Sequence, residues 1–172
     1  MTLIRCTKKL QKAVGLKKSA LTEELVDSSS LGPWHANLIE IDRCTCILFV
    51  NDKTLFNFLI TDIPKIHAQQ LEEMFKTYLR CVLAEEGFDK TFLDKLMHEV
   101  ADIRVTGTNN KRILGSMNEL AFMYTYHLEE ESSVHSYKVP EIIQHMNRVP
   151  MGMLGGNYPI HALRDLCVKL QT

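Results

Sequence analysis

The sequence predicts an α+β fold: an antiparallel sheet, built as a three-stranded meander plus one or two short strands, packed against about five helices. Three observations lead there. Between Trp34 and Ile60, three apolar runs are joined by Asp42-Arg43 and Asn51-Asp52-Lys53. Connections this short permit only antiparallel neighbours. From Leu71 onward, apolar residues recur three and four apart, the spacing of one helix face. The chain of 172 residues, 45% hydrophobic and 24% charged, has ordinary globular composition. It is expected to form a single domain over residues 1–172, burying roughly 70% of its unfolded surface.

The elements follow in order. Leu3–Cys6 reads as a first strand and Lys8–Val14 as a short amphipathic helix, with Leu10 and Val14 four apart and Gly15 closing it. A polar connector with a helical turn at Thr22–Val26 leads to Ser28-Ser29-Ser30 and Gly32-Pro33, which break the pattern. Trp34–Ile41, Cys44–Val50 and Leu55–Ile60 form the meander. Its middle strand lacks polar alternation, so both faces are expected to be covered. A helix follows with Pro64 at its first position, and Leu71, Met74, Phe75, Tyr78, Leu79, Val82 and Leu83 make its apolar stripe before Gly87. Asp89 suits the N-cap of the next helix, which turns Phe92, Leu93, Leu96, Met97 and Val100 inward. Asp102–Thr106 reads as a last strand. Beyond the polar loop Gly107–Arg112 come helices at Ser116 to about Glu130, Val139–Val149 and Pro159–Leu170. The glycine-rich connector Pro150–Tyr158 joins the last two.

A net charge of −1 gives no global reason to expect nucleic acid or an acidic membrane, so such binding would need a local basic patch. The five cysteines are odd in number and scattered. No run approaches the roughly 18 apolar residues of a membrane span, and the basic N-terminus lacks the apolar core of a signal peptide. These features point to a cytoplasmic protein with free thiols and no membrane association. The oligomeric state is left open.

Several segments are distinctive together: Ile4-Arg5-Cys6-Thr7-Lys8-Lys9-Leu10, Trp34-His35-Ala36-Asn37-Leu38, Asp42-Arg43, Phe49–Phe56, Gly115–Phe122 and Asn147-Arg148-Val149-Pro150-Met151. In this order they resemble a bacterial family known as domain of unknown function 6933, over nearly the whole chain. The resemblance implies a bacterial or mobile-element origin. It brings no activity, cofactor or catalytic residue.

Two constellations can carry chemistry. In Asn109-Asn110-Lys111-Arg112-Ile113-Leu114-Gly115-Ser116-Met117-Asn118-Glu119, Ser116 and Glu119 have capping-box spacing. A helix start offers unpaired N–H groups and a partial positive charge. With Gly115 allowing close approach and Lys111 and Arg112 alongside, a phosphate or carboxylate fits there. The plainer reading is a well-capped helix with solvated cations, and Glu119 counts against an anion. The Walker-type phosphate loop is absent. In the second constellation, His35 and Asn37 share one strand face, where an imidazole beside a carboxamide can orient a ligand or move a proton. The plainer reading is a hydrogen-bonded structural pair, with Asp42 and Arg43 shaping the turn.

Cys44 and Cys46 share a strand face that the hairpin can bring toward His35, but Cys-x-Cys without a second cluster is a weak zinc signal. No metal and no cofactor is assigned. His98-Glu99 lacks the second histidine of a zinc-protease motif, which Asp102 replaces.

The leading function is a binding protein for a phosphate-bearing ligand, a nucleotide or nucleic-acid end. Lys111 and Arg112 neutralise charge, the Ser116 turn donates amides, and His35 and Asn37 orient the ligand. Arg43 and Arg148 are extra cations. One alternative is an enzyme using His35 as general base, with Asn118 or Arg148 steadying negative charge. Another is a protein-interaction module, an antitoxin-like or mobile-element defence partner.

Overall fold

The computed structural model describes residues 1–17, 25–108, 110–130 and 133–171. The helical turn expected at Thr22–Val26 falls largely outside them. Five strands, β1 (Thr2–Cys6), β2 (Trp34–Ile41), β3 (Cys44–Asn51), β4 (Asn57–Ile60) and β5 (Ile103–Gly107), form one sheet in the order β4-β3-β2-β1-β5. The described residues form six α-helices: α1 (Lys8–Ala13), α2 (Ala68–Glu85), α3 (Lys90–Glu99), α4 (Lys111–Glu130), α5 (Val139–Met146) and α6 (Pro159–Gln171).

The class is α+β, but the sheet is mixed, which corrects the expectation of an antiparallel one. β2, β3 and β4 are the meander, paired antiparallel. β1 runs parallel to β2, with Arg5 opposite His35 and Cys6 opposite Ala36. It also runs parallel to β5, with Arg5 opposite Thr106 and Cys6 opposite Gly107. The tight-turn rule governs only the meander, whereas residues 7–33 give a connection long enough for a parallel crossover. In the β2–β3 turn, Asp42 (φ 49°) and Arg43 (φ 62°) are both left-handed. Two such central residues match the twist of the flanking strands.

Register fixes the two faces. Trp34, Ala36 and Leu38 point one way, paired with Asn51, Phe49 and Ile47. On this face α2 supplies Phe75, whose ring lies 5.2 Å from Trp34 and from Phe49, while Phe49 stacks on Phe58 at 5.0 Å. α1 lies on the same face, its Leu10 and Val14 sharing a cleft with Leu38 and Ile47. His35 and Asn37 point the other way, in line with Val50 and Leu48. α4 covers that face: the Tyr124 hydroxyl donates to Asn57 Oδ1 at 2.7 Å. β3 is buried from Cys46 to Asn51, as a strand sandwiched between helices must be.

Helix starts obey local capping. Asp89 accepts the Phe92 N–H at 3.0 Å, as its position suggested. α2 begins at Ala68 instead of Pro64, with Gln70 reaching back to the His67 N–H at 2.9 Å. No helix among the described residues is long and apolar enough to cross a membrane.

The thiols sort by burial. Burial raises Cys6 and Cys46, and pushes Cys167 up to about 11 against the pull of Arg164. Cys81 is exposed on α2. Iodoacetamide at neutral pH is expected to label Cys81 in the native protein, and Cys6, Cys46 and Cys167 only after denaturation. Native labelling of Cys6 by mass spectrometry would contradict this packing. A thiol whose folded pKa exceeds its unfolded value of about 8.5 contributes stability fully present below that value. For Cys167 it is lost as pH rises through about 11. The urea midpoint is expected to fall across that window.

Candidate functional site

The two constellations singled out in the sequence meet through Thr108, which neither contained. His35 is fully buried, and its ring is held from both sides. Nδ1 lies 2.5 Å from Asp52 Oδ1, and Nε2 lies 2.5 Å from Thr108 Oγ1. The second Asp52 oxygen accepts from Arg5 Nη1 at 2.8 Å. An ionised carboxylate only accepts, so Nδ1 carries the ring proton. In the neutral ring, Nε2 then accepts the Thr108 O–H. The Thr108 oxygen in turn accepts the Asn110 N–H at 3.3 Å. Arg5, Asp52, His35 and Thr108 thus form one directed chain from β1, the β3–β4 turn, β2 and the end of β5.

One row further along the strands, Thr7 and Thr108 continue the parallel ladder: the Thr7 N–H donates to the Ala36 carbonyl at 3.0 Å and the Thr108 N–H to the Cys6 carbonyl at 3.2 Å. The Thr7 hydroxyl donates to Asn37 Oδ1 at 2.8 Å. Thr7 therefore does not cap α1 with its side chain.

The start of α4 departs from the expectation. The helix begins at Lys111, and Asn110 Oδ1 accepts from the Arg112 N–H at 3.1 Å and the Ile113 N–H at 3.2 Å. Ser116 sits in the second turn, buried, with its hydroxyl 3.6 Å from Met153 Sδ. Its capping box with Glu119 does not form, because Asn110 provides the cap and Ser116 lies inside the helix. Those amides are not open to an anion.

The remaining candidates separate. Lys111 and Arg112 are exposed at the helix start, near Thr108, with Arg112 Nη2 3.4 Å from the Met153 carbonyl. Asn118 is exposed further along α4. Arg43 lies in the β2–β3 turn, eight positions from His35 along the hairpin. Arg148 is held by Glu86 through paired bonds of 2.8 and 2.7 Å, and that carboxylate raises its pKa. The fold places Arg148 beside β4, at the opposite edge of the sheet from β5.

Residues 3–162 match the family described as domain of unknown function (DUF6933). The chain belongs to it. No curated protein and no solved structure matches the chain. In this family member, Asn147-Arg148 is structural: Asn147 binds β4 and Arg148 neutralises buried Glu86.

Sequence reasoning missed Arg5, Thr7, Asp52 and Thr108 as site residues, and placed Asn110 in the loop-to-helix segment without a role. One signal was available. Residues 1–17 hold Arg5, Lys8, Lys9, Lys12 and Lys17 and no Asp or Glu; residues 103–118 hold Arg104, Lys111 and Arg112 and none either. These two strand–loop–helix segments lie side by side through the β1–β5 pairing.

Proposed function

We propose that the protein binds a phosphate-bearing ligand, a nucleotide or a nucleic-acid end, at the carboxyl ends of β1 and β5, in a reducing cytoplasm. The observation that carries this reading is the meeting of the two acid-free, basic segments at one sheet edge. β1 and β5 are adjacent and parallel, and the helices that follow them leave on opposite faces, α1 with α2 and α4 beside His35. In α/β sheets, ligands bind where helices diverge in this way at the strand carboxyl ends. Lys8, Lys9 and Lys111 are exposed around these strand ends, and the Asn37 carboxamide offers its N–H groups, the Thr7 and Thr108 hydroxyl protons being engaged by Asn37 Oδ1 and His35. Alongside α1, an apolar cleft of about 500 Å³, floored by Leu38 and Ile47 and edged by Lys9, Lys12 and Lys65, has room for the rest of a small ligand.

Calorimetric titration with a nucleotide and with a 5′-phosphorylated oligonucleotide tests this. Lys111→Ala/Arg112→Ala and Lys8→Ala/Lys9→Ala are each expected to weaken binding about tenfold or more, roughly 1.4 kcal/mol. Dephosphorylating the oligonucleotide should abolish its binding. Unchanged affinity in both double variants removes the reading.

One observation favours a second reading: the Asp52–His35–Thr108 chain has the order of an acid, base and hydroxyl that activates a nucleophile. His35 would accept the Thr108 proton while Asp52, held by Arg5, orients the ring. A hydroxyl-directed phosphonate probe is expected to label Thr108, and labelling should vanish in His35→Ala. No adduct on Thr108 in the folded protein would dismiss an enzyme of this kind.

A further inference from the structure

We propose that Cys44, Asp62 and His135 form a binding site for one divalent cation of the zinc class, at the far end of the β2–β3 hairpin from His35. Hairpin spacing alone sets Cys44 and Cys46 against His35 and offers Cys44 no other metal partner. His35 lies at the opposite end of β2, about 20 Å along the strand at 3.3 Å per residue. The fold brings a different histidine. One potential ligand atom from each of Cys44, Asp62 and His135 lies within 4.8 Å of the other two. Cys44 Sγ is 3.7 Å from His135 Nε2, and Asp62 Oδ2 is 3.6 Å from His135 Nδ1.

These separations are those of ligands around one small ion. With zinc–sulfur and zinc–nitrogen bonds of about 2.3 and 2.0–2.1 Å at a tetrahedral angle, S and N stand roughly 3.5 Å apart. The thiol and imidazole are already spaced so. Asp62 completes the set in either of two ways: an oxygen binds the ion directly, or it accepts the other ring N–H and orients His135 as a carboxylate behind a ligating histidine does.

The scaffold defines where the three side chains begin. Cys44 is the first residue of β3, directly after the tight turn. Asp62 follows β4, where the neighbouring Ile63 N–H donates to the Thr45 carbonyl at 2.8 Å. His135 adjoins Val134, which is buried in the core. All three side chains are at least partly accessible, so an ion can enter from solvent.

The donor set decides the metal. One sulfur, one nitrogen and one carboxylate oxygen suit a borderline-soft ion, whereas magnesium and calcium take oxygen ligands almost throughout. With Asp62 bound directly, three protein ligands leave a fourth tetrahedral position for water or an external group; with Asp62 behind His135, two positions are left. A bound ion would also tie the start of β3, the exit of β4 and the loop after α4 together. Metal loading is therefore expected to raise the melting temperature, since the ion binds the folded arrangement alone.

Cobalt(II) titration of the reduced, metal-free protein tests the site. At one equivalent, a thiolate-to-cobalt charge-transfer band and the intense visible bands of tetrahedral cobalt are expected, and zinc should displace both. Cys44→Ser should abolish the charge-transfer band. Asp62→Ala and His135→Ala should each weaken binding at least about tenfold, the smallest loss expected even for residues that only support a metal ligand. Cys81→Ser, which removes the exposed thiol on α2, should change nothing. The absence of the band at one equivalent, or its survival in Cys44→Ser, overturns the proposal. Cys44 and His135 are not core positions, so metal-free melting curves of Cys44→Ser and His135→Ala should overlay that of the parent, whereas Asp62, at φ 52°, tolerates alanine less well.

Discussion

Replacing Asn147 with alanine is expected to destabilise the protein by about 3–4 kcal/mol, since it strands two buried backbone groups at about 1–3 kcal/mol each. Asn147 is fully buried just after α5. Its Nδ2 donates to the Asn57 carbonyl at 2.7 Å and the Ile143 carbonyl at 2.9 Å, and its Oδ1 accepts the Asn57 N–H at 2.9 Å. Asn57 opens β4 and carries the Tyr124 hydroxyl on its own side chain. The Asn147 carboxamide therefore fastens the edge strand to α5, and the Asn57 carboxamide fastens it to α4. Alanine leaves the Asn57 N–H and C=O without these partners in a site too buried for water to replace them freely. For a chain of this size, each kcal/mol lowers the melting temperature by about 2–4 °C. A fall near 10 °C is expected by calorimetry; a shift under about 2 °C would mean the network is not what holds β4.

Arg148→Ala is expected to cost about 2–4 kcal/mol. Removing one partner of a buried pair leaves an uncompensated charge at about 3–5 kcal/mol. Solvent reaching the half-exposed guanidinium lowers that figure. The Glu86 side chain is fully buried, while Arg148 is 47% exposed. Urea unfolding measures the loss. Glu86→Gln placed in the Arg148→Ala background should recover much of it, because the stranded charge disappears. Phosphate-ligand affinity should be unchanged in Arg148→Ala, in contrast to the Lys111 and Arg112 variants. That contrast separates the cation that supports the fold from those assigned to the ligand.

Much of the fold was legible because its signals are local. Asp42-Arg43 forces a hairpin, Asp89 caps a helix, and the unbroken apolar run in β3 announces burial on both faces. The parallel placements of β1 and β5 were not legible, because long connectors carry no register. The start of α4 was misread for a different reason. The capping-box spacing of Ser116 and Glu119 pointed to a start at Ser116, yet the glycine before it costs a helix only about 1 kcal/mol. Ile113, Met117, Leu120, Tyr124 and Leu128 keep a continuous buried stripe through it. Asn110 then competes successfully as the cap, and Ser116 becomes an interior residue.

The site was half legible. His35 and Asn37 stood out as polar residues on an apolar strand, and both turn inward to hydrogen-bond partners. The partners of His35 lie 17 and 73 residues away in sequence, at Asp52 and Thr108, so no short motif could announce them. Charge could have: two segments without a single acid, in a chain of nearly balanced charge, mark the edge where β1 and β5 deliver their helices.

The most direct test is a backbone amide NMR titration of the full-length protein with pyrophosphate. Saturable shifts confined to Thr7, Lys8 and Lys9 and to Thr108, Lys111 and Arg112 are the expected result. Absence of saturable change at those amides, or saturable shifts centred on Arg43 or Arg148 instead, would contradict a phosphate site at the β1–β5 edge.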